Sequence, residues 1–589
     1  MDKRIDSKHA LLGAPKGKGA LFRALRPGAL SALPLALALL GCTPKEGPPP
    51  NMGGTSTSSD ANNQTAQGTQ GGQTGGGATA GNPFEVKRAL REEKLPTLDD
   101  GPLDASAPKL PAAPKGLAPA PKTCADFVKR RAERAPACAD AAAAQTALDA
   151  ALSTEDPAKR DGMLAGLEAC PGLPVGLVRG LRAELAPHEC ADALAEPVLK
   201  APPTNIKKPA YFALLGQALA ARLARTATNP PTMTAPFERK RVQEFLKGPM
   251  LAWMTDQARL IEEVGKIGLE LPFYARGVVA VEAGMADMRV VEIVRSAPVP
   301  KEIGDDEELR NVYYGQLDQQ LEPRKDRGRD AALVGLRDLA ITGVIKSSRV
   351  DAARALLSKL YGGRRVDALD ALLLPPLPPA SPSSAEERLA ARLPTFTAGF
   401  LIDPKAATKP GTLRMLIDRG LPVQHRAALQ DPALPAEIHV LHARAHMELG
   451  KLYWRASDFD RAIALTSPVA SKSERNAEVS LLLATAIALS NGPEDAAEMM
   501  RKAPLQSIGI GRVAALDSVE KQGGATAGMA AYNAASILQI AAPQGANAAY
   551  WKDIADRFQR AAATLPEGSA RASAAEHAKA AQAVASAIK

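Results

Sequence analysis

The chain has 589 residues, of which 46% are hydrophobic and only 4% aromatic, and its 73 basic and 64 acidic side chains give a formal net charge of +9. A core with so few aromatic residues must be built largely from Leu, Ala and Val, which suits closely packed helices better than β-sandwiches. Basic and acidic residues are mixed along the chain, so the positive charge does not indicate a nucleic-acid-binding surface. We therefore expect no nucleic-acid partner.

The N-terminus has the pattern of an export signal. Residues 1–28 hold seven basic and two acidic side chains, and an apolar run, SALPLALALLG, follows and ends at Cys42. This run is too short and too interrupted by proline to span a bilayer, which needs about 20 apolar residues. The tetrapeptide Leu39-Leu40-Gly41-Cys42 resembles the bacterial lipobox, in which a small residue precedes a cysteine that is acylated before signal cleavage. The alternative is an ordinary secretory signal with a coincidental cysteine.

The lipobox resemblance implies a lipoprotein with a signal peptide at 1–41 and a lipid anchor on Cys42. Two acyl chains plus an N-acyl group would hold the protein stably in a membrane. Thr43 follows the cysteine, in place of the Asp that resembles an inner-membrane retention signal. This favours the outer membrane of a bacterium, with the protein facing the periplasm and surface exposure left open. Removal of residues 1–41 would lower the net charge from +9 to +4.

Residues 42–122 are predicted to form a disordered tether. The first part is rich in Gly, Ser, Thr, Asn and Gln and nearly devoid of large apolar side chains, so it cannot bury enough surface to offset the entropy of ordering. The second part is rich in Pro and Ala and predicts a stiffer spacer. Between them, PFEVKRALREEKLP is compatible either with one short helix, with Phe84, Val86 and Leu90 on one side, or with disorder.

From Thr123 onward, apolar residues recur at three- and four-residue spacings, and Pro and Gly clusters separate the segments. This pattern predicts an all-α array of helical hairpins; the best strand candidate, RGVVAVEAG, lies within a continuing helical pattern. The proline-rich stretch 375–384 divides the folded part. We predict an N-terminal helical domain at 123–374 that contains a cysteine-stapled bundle, and a C-terminal helical domain at 385–589.

The C-terminal domain contains a segment, HMELGKLYWRASDFDRAIALTSPVA, that resembles a tetratricopeptide repeat. The motif residues stand at the spacings of that repeat: Leu449, Gly450, Tyr453, Phe459 and Ala462. A second segment places Leu483-Ala484 and Ala496 34 residues after their equivalents, which is the length of this repeat. It departs from the motif at Ile487 and Pro493, where aromatic residues are missing. The resemblance implies an α-solenoid in which Gly450 allows two helices to approach closely.

Three histidines on one predicted helix are the residues closest to a metal-binding pattern. His439, His442 and His446 are spaced i, i+3 and i+7, so two of them could chelate a divalent metal. No carboxylate or cysteine stands nearby in sequence at a ligand spacing, and no His-Glu-x-x-His motif is present. The alternatives are a partly buried polar flank of a repeat helix and a pH-responsive patch. Nucleophile and phosphate-loop motifs are missing, so we predict neither an enzyme nor a cofactor.

The repeat resemblance also predicts a groove for an acidic or C-terminal peptide. In its register, the inward face of the first helix presents five residues: Arg444, Met447, Lys451, Trp454 and Arg455. The following repeat does not continue this basic face.

Four cysteines remain after Cys42 in an oxidising compartment, which allows three disulfide pairings. Their spacings lack the short Cys-x₂₋₄-Cys pairs of zinc sites. A bridge from Cys124 to Cys138 would have to span a helix of about 16 Å, far beyond disulfide reach. In an up-down run of short helices, Cys138 and Cys170 lie at one end and Cys124 and Cys190 at the other. We therefore predict nested pairing, in which the outer bridge requires the first and fifth helices to be neighbours.

These observations together suggest a lipid-anchored envelope protein whose helical array serves as a protein–protein interaction scaffold, for example in envelope assembly or secretion. Its partners would be unidentified envelope proteins or peptides, and its membrane contact would be the lipid on Cys42. The alternative is an all-α envelope enzyme or metal-dependent factor that uses the histidine cluster.

Overall fold

The computed structural model describes residues 82–129, 138–377, 381–392, 395–417, 419–472, 476–501 and 513–588. Within these ranges the chain is α-helical, with no β-strand and one isolated β-bridge between Pro102 and Lys207. No helix in the same ranges is both long and apolar enough to cross a bilayer. The predicted all-α fold is confirmed. The predicted signal peptide, Cys42 and the first part of the tether lie outside the described residues.

Helices α1 to α12 precede the proline-rich stretch. Their bounds, in chain order, are Cys124–Lys129, Ala141–Leu152, Pro157–Leu167, Leu177–Leu185, Ala191–Lys200, Lys208–Ala224, Arg239–Phe245, Leu251–Gly268, Phe273–Arg295, Lys301–Gly304, Glu307–Thr342 and Ser348–Leu360. The strand candidate RGVVAVEAG lies inside α9 and is helical.

Helices α13 to α24 follow that stretch. Their bounds are Ala385–Arg392, Thr395–Gly399, Pro410–Ile417, Val423–Ala428, Ala436–Tyr453, Ala456–Lys472, Ala477–Ser490, Ala496–Arg501, Ala514–Gln522, Ala527–Ile540, Ala548–Thr564 and Ser569–Ala587. From α17 onward, each long helix packs against the next long helix in the chain, as in a solenoid.

Two disulfides join helix ends in the N-terminal bundle. Cys124 is bonded to Cys190 with a Cα–Cα distance of 5.0 Å, and Cys138 is bonded to Cys170 with a distance of 5.5 Å. The predicted nested pairing is confirmed. The tripeptide Cys-Ala-Asp occurs at residues 124–126, 138–140 and 190–192. Asp140, from the second of these, is the N-cap of α2, where its carboxylate accepts a hydrogen bond from a backbone N–H. The tripeptide thus combines a helix start with a disulfide.

The two longest helices, α9 and α11, cross at a seam of glycines. A Cβ atom at Gly284 would lie 2.5 Å from the backbone nitrogen of Ala332, and one at Gly335 would lie 2.5 Å from that of Val281. Real Cβ atoms do not approach backbone so closely, so only glycine permits this crossing. The chain therefore builds its centre by close backbone contact rather than by large aromatic side chains.

The segment that resembles a tetratricopeptide repeat forms the hairpin α17–α18. A Cβ atom at Gly450 would lie 2.5 Å from the ring of Phe459, so glycine allows the two helices to approach closely, as expected. Tyr453 is buried, and its hydroxyl donates to the carbonyl oxygen of Val344, which precedes α12. The hairpin is therefore joined to the N-terminal half of the chain as well as to the next repeat.

The hydrophobic core continues across the predicted linker at 375–384. One cluster of buried residues includes Val350 and Leu369 from the N-terminal side and Met447 and Leu483 from the C-terminal side. A second cluster likewise joins helices α2 to α6, α8 and α9 to residues 389–416. The two predicted domains thus share their cores.

The prediction of a disordered tether is wrong for residues 82–122. This stretch is irregular with several turns rather than helical, and its contacts run from Asp460 in the C-terminal array to Arg225 beside the disulfide-bonded bundle. Phe84, Val86 and Leu90 pack against the large hydrophobic cluster, and the hydroxyl of Tyr211 donates to the carbonyl oxygen of Pro108. Composition alone underestimated the order of this segment because its stabilising partners lie far away in sequence.

Candidate functional site

The predicted groove on α17 is filled by the chain itself. Trp454 Nε1 donates to the carbonyl oxygen of Val366 at 2.8 Å, and Lys451 Nζ donates to that of Leu372 at 2.9 Å. Arg444 Nη1 donates to a third carbonyl oxygen of the same stretch, that of Pro375, at 2.6 Å. Met447 on the same face is fully buried. The expectation of an open peptide groove at these positions is therefore wrong, because residues 366–377 already cover them.

A side chain on α22, five helices after α17, binds the backbone of the same stretch. Asn533 on α22 accepts a hydrogen bond from Leu373 N and donates one from Nδ2 to Leu373 O, both at 2.7 Å. Asn533 is fully buried within an otherwise apolar helix. This two-point contact recognises an extended backbone whatever its side chains. We call the surface formed by Arg444, Lys451, Trp454 and Asn533 the inner groove.

A second extended segment docks at the outer end of the hairpin. Arg88 places its guanidinium on Asp460, with Nη1 and Nη2 at 2.8 and 2.5 Å from the two carboxylate oxygens. Arg91 adds its backbone N–H and its Nη1 to the same carboxylate, and both arginines donate to the carbonyl oxygen of Ser490. Asp460 is fully buried. We call residues 84–94 the docked segment.

Glu93 continues the docked segment into a buried charge cluster. Its carboxylate accepts from Arg455 Nη2 at 2.6 Å and from Arg426 Nη1 at 3.0 Å. Arg455, the fifth predicted groove residue, therefore binds this chain's own glutamate. Burial lowers the pKa of Arg426 and the nearby carboxylates oppose that effect. The contact shows that this end of the array accepts an acidic side chain when it is presented on an extended strand.

The predicted histidine cluster is buried beside these charges. His446 Nδ1 lies 2.7 Å from a carboxylate oxygen of Asp458, and its Nε2 lies 3.0 Å from Nε2 of His442. If Nδ1–H of His446 donates to the carboxylate, its Nε2 accepts from His442. Burial and the neighbouring imidazole hold the pKa of His442 well below its usual range. His439 is not part of this chain of contacts.

Metal binding fits these residues poorly. Glu93, His446 and Asp458 bring one potential ligand atom each within 4.8 Å of one another. However, Arg426 and Arg455 contact the same carboxylates, and two guanidinium groups at this distance oppose a divalent cation. Only His446 of the predicted histidine triad belongs to this group. The structure thus explains the buried histidines as part of a hydrogen-bonded charge cluster.

Comparisons of the chain with known protein families, curated proteins and solved structures give no match.

The sequence offered some signals for the residues that it did not reveal. Arg88 and Arg91 are three residues apart beside apolar side chains, and Asn533 interrupts the apolar run GMAAYNAASIL. Each is a polar residue in a segment that otherwise buries its neighbours. Their partners, Asp460 and Leu373, are at least 160 residues away and could not be assigned from spacing.

Proposed function

We propose that this protein is a lipid-anchored envelope protein whose helical array is a scaffold for extended polypeptide segments. The observation that carries the proposal is the two-point contact between Asn533 and the backbone of Leu373. Together with Arg444, Lys451 and Trp454, it makes the inner groove a surface that binds main-chain groups of residues 366–375, a stretch that includes a short 3₁₀ helix at Ala368–Ala371. In this structure that segment is the chain's own residues 366–377, and its binding by the array is the model for how a partner segment would be held elsewhere on the array.

Export to an oxidising compartment is supported by the two disulfides, which rarely persist in the cytosol. The lipobox resemblance at Cys42 supplies the anchor, and Thr43 favours the outer membrane, with the array facing the periplasm. The partners would be envelope proteins in assembly or secretion. Labelling of cells with a radioactive fatty acid tests the anchor: wild-type protein should be labelled, and Cys42→Ala protein should not. An unlabelled wild-type protein would exclude the lipid anchor.

Crosslinking in intact envelopes, followed by mass spectrometry, tests the scaffold. We expect a reproducible partner crosslinked to residues 436–588. Lys451→Met removes the donor to Leu372 O and should change the yield, whereas Lys552→Met, at an exposed position of α23, should not. Crosslinks that map only outside the array, or no partner above an unrelated lipoprotein, would contradict the scaffold function.

The alternative is an envelope enzyme or metal-dependent factor. The convergence of Glu93, His446 and Asp458 favours it, and the two arginines oppose it. Metal analysis of purified protein decides between them: stoichiometric metal that is lost in His442→Ala/His446→Ala protein would support the alternative.

A further inference from the structure

A buried hydrogen-bonded network connects four helices of the N-terminal half to α14. Thr397 Oγ1 and the hydroxyl of Tyr274 both donate to Oε1 of Glu184, at 2.8 and 2.7 Å. Gln217 Nε2 donates to the Tyr274 oxygen at 2.6 Å, and Arg349 Nη1 donates to Gln217 Oε1 at 3.1 Å. These hydrogen bonds hold each side chain of the network in one orientation.

The network ends in two charged atoms without partners. Glu184 Oε2 and Arg349 Nη2 are both buried, and neither has a hydrogen-bond partner among the residues that the structure describes. Arg349 is 4% exposed, and its Nε donates to Glu282 at 2.9 Å, so its remaining amino group is held in place. An unpaired buried polar group is costly, and a charged one more so. The protein therefore buries one carboxyl oxygen and one guanidinium nitrogen despite the free-energy cost of leaving them unpaired.

Glu184 and Arg349 both line the same cavity. It has a volume of about 170 Å³, roughly the space of six water molecules, and α12 begins at its wall. Lys346 and Ser348 also line it, as does His188, whose Nε2 lies 2.8 Å from the Ser348 hydroxyl. One side is therefore rich in donors for an anion: the Arg349 amino group, Lys346 and the first N–H groups of α12. The Glu184 carboxyl supplies the acceptor.

We propose that this cavity binds a small free α-amino acid, with its carboxylate at Arg349 Nη2 and the start of α12 and its ammonium group at Glu184 Oε2. A zwitterion of this kind supplies both missing partners at once. A water molecule carries no charge, and a simple anion has no positive group for the Glu184 carboxylate. The volume suits a molecule of the size of alanine or serine. This ligand site is separate from the inner groove and from the anchor.

Calorimetric titration of the purified full-length protein with L-alanine, L-serine, alaninamide and propionate tests the proposal. Because burial raises the pKa of Glu184, the titrations are run at pH 8. We expect an amino acid to bind, and alaninamide, which lacks the carboxylate, and propionate, which lacks the amine, to bind at least about 10-fold more weakly.

Glu184→Gln is the decisive variant. Its amide oxygen keeps the role of Oε1, and its NH₂ replaces Oε2, so the cavity presents a donor where the ammonium group needs an acceptor. Amino-acid binding should weaken at least about 10-fold. Glu196→Gln, on an exposed part of α5, is the matched control and should bind normally. Lys346→Ala, at an exposed position, should weaken binding of the carboxylate and serves if Glu184→Gln does not fold.

The proposal is wrong if no amino acid binds at about 10 mM, which is ten times the upper end of typical substrate affinities. Equal binding of alanine and propionate, or unchanged binding by Lys346→Ala protein, would also overturn it. None of these outcomes bears on the scaffold function, which depends on the inner groove.

Discussion

Replacement of Asp460 by Asn should release the docked segment from the array. Asp460 accepts four hydrogen bonds from the segment, two from the Arg88 guanidinium and two from the backbone and side chain of Arg91. Asn keeps one acceptor oxygen and no charge. Hydrogen bonds to charged groups contribute about 1.5 to 3 kcal/mol each, and both arginine side chains are 30% exposed, which screens the interaction.

We therefore expect Asp460→Asn to weaken docking by about 2 to 3 kcal/mol, or about 30- to 150-fold in the docking equilibrium. Hydrogen exchange followed by mass spectrometry measures it on the amides of residues 84–94. Trypsin cleavage after Arg88 and Arg91 gives a second measurement, because a released segment exposes these bonds. Exchange in α22 and α23 serves as the internal reference for global stability.

Asp517→Asn is the matched control. Asp517 is paired with Arg557 in the same array, away from the docked segment. Its replacement should leave exchange at 84–94 unchanged. Equal protection of the segment in wild-type and Asp460→Asn protein would refute the conclusion that this carboxylate holds it.

Three further predictions concern stability, each measured by chemical denaturation. Gly335→Val should lower the free energy of unfolding by about 2 to 3 kcal/mol because the new Cβ would clash with the backbone of α9, whereas Gly362→Val, with nothing within 4 Å of its Cβ, should be nearly neutral. Replacing Cys138 and Cys170 together by Ser should cost about 3.5 kcal/mol, since the bridge closes a loop with a sequence separation of 32; a cost near zero would show that the bridge does not form. The lowered pKa of His442 means that the unfolded chain binds more protons below pH ~6.5, so stability should fall as the pH drops through that value. His442→Gln should reduce this pH dependence, and an unchanged profile would contradict it.

The parts of the fold that were predicted correctly depend on short-range sequence patterns. The length of a helix excludes a bridge between Cys124 and Cys138. Antiparallel packing then leaves the nested pairing that the structure has. The close approach at Gly450 followed from the repeat spacing in the same way.

The candidate site was predictable only in part. The repeat register correctly placed Arg444, Lys451 and Trp454 on an inward face, but it could not show that residues 366–377 cover that face. The docked segment was missed for a related reason. Its order depends on Arg88 reaching a carboxylate 372 residues away, a contact that composition does not encode.

The docked segment also determines how a pulling force would enter the protein. The predicted lipid anchor precedes residue 82, so tension between membrane and protein would reach the Asp460 contacts before it reached the disulfide-bonded helices further along the chain. The contacts of the docked segment, which include the apolar packing of Phe84 and Val86 as well as the ion pairs with Asp460, would thus bear the load before the covalently bridged bundle. The docked segment would therefore detach before the disulfide-bonded bundle unfolds, and the detached residues would lengthen the connection to the membrane.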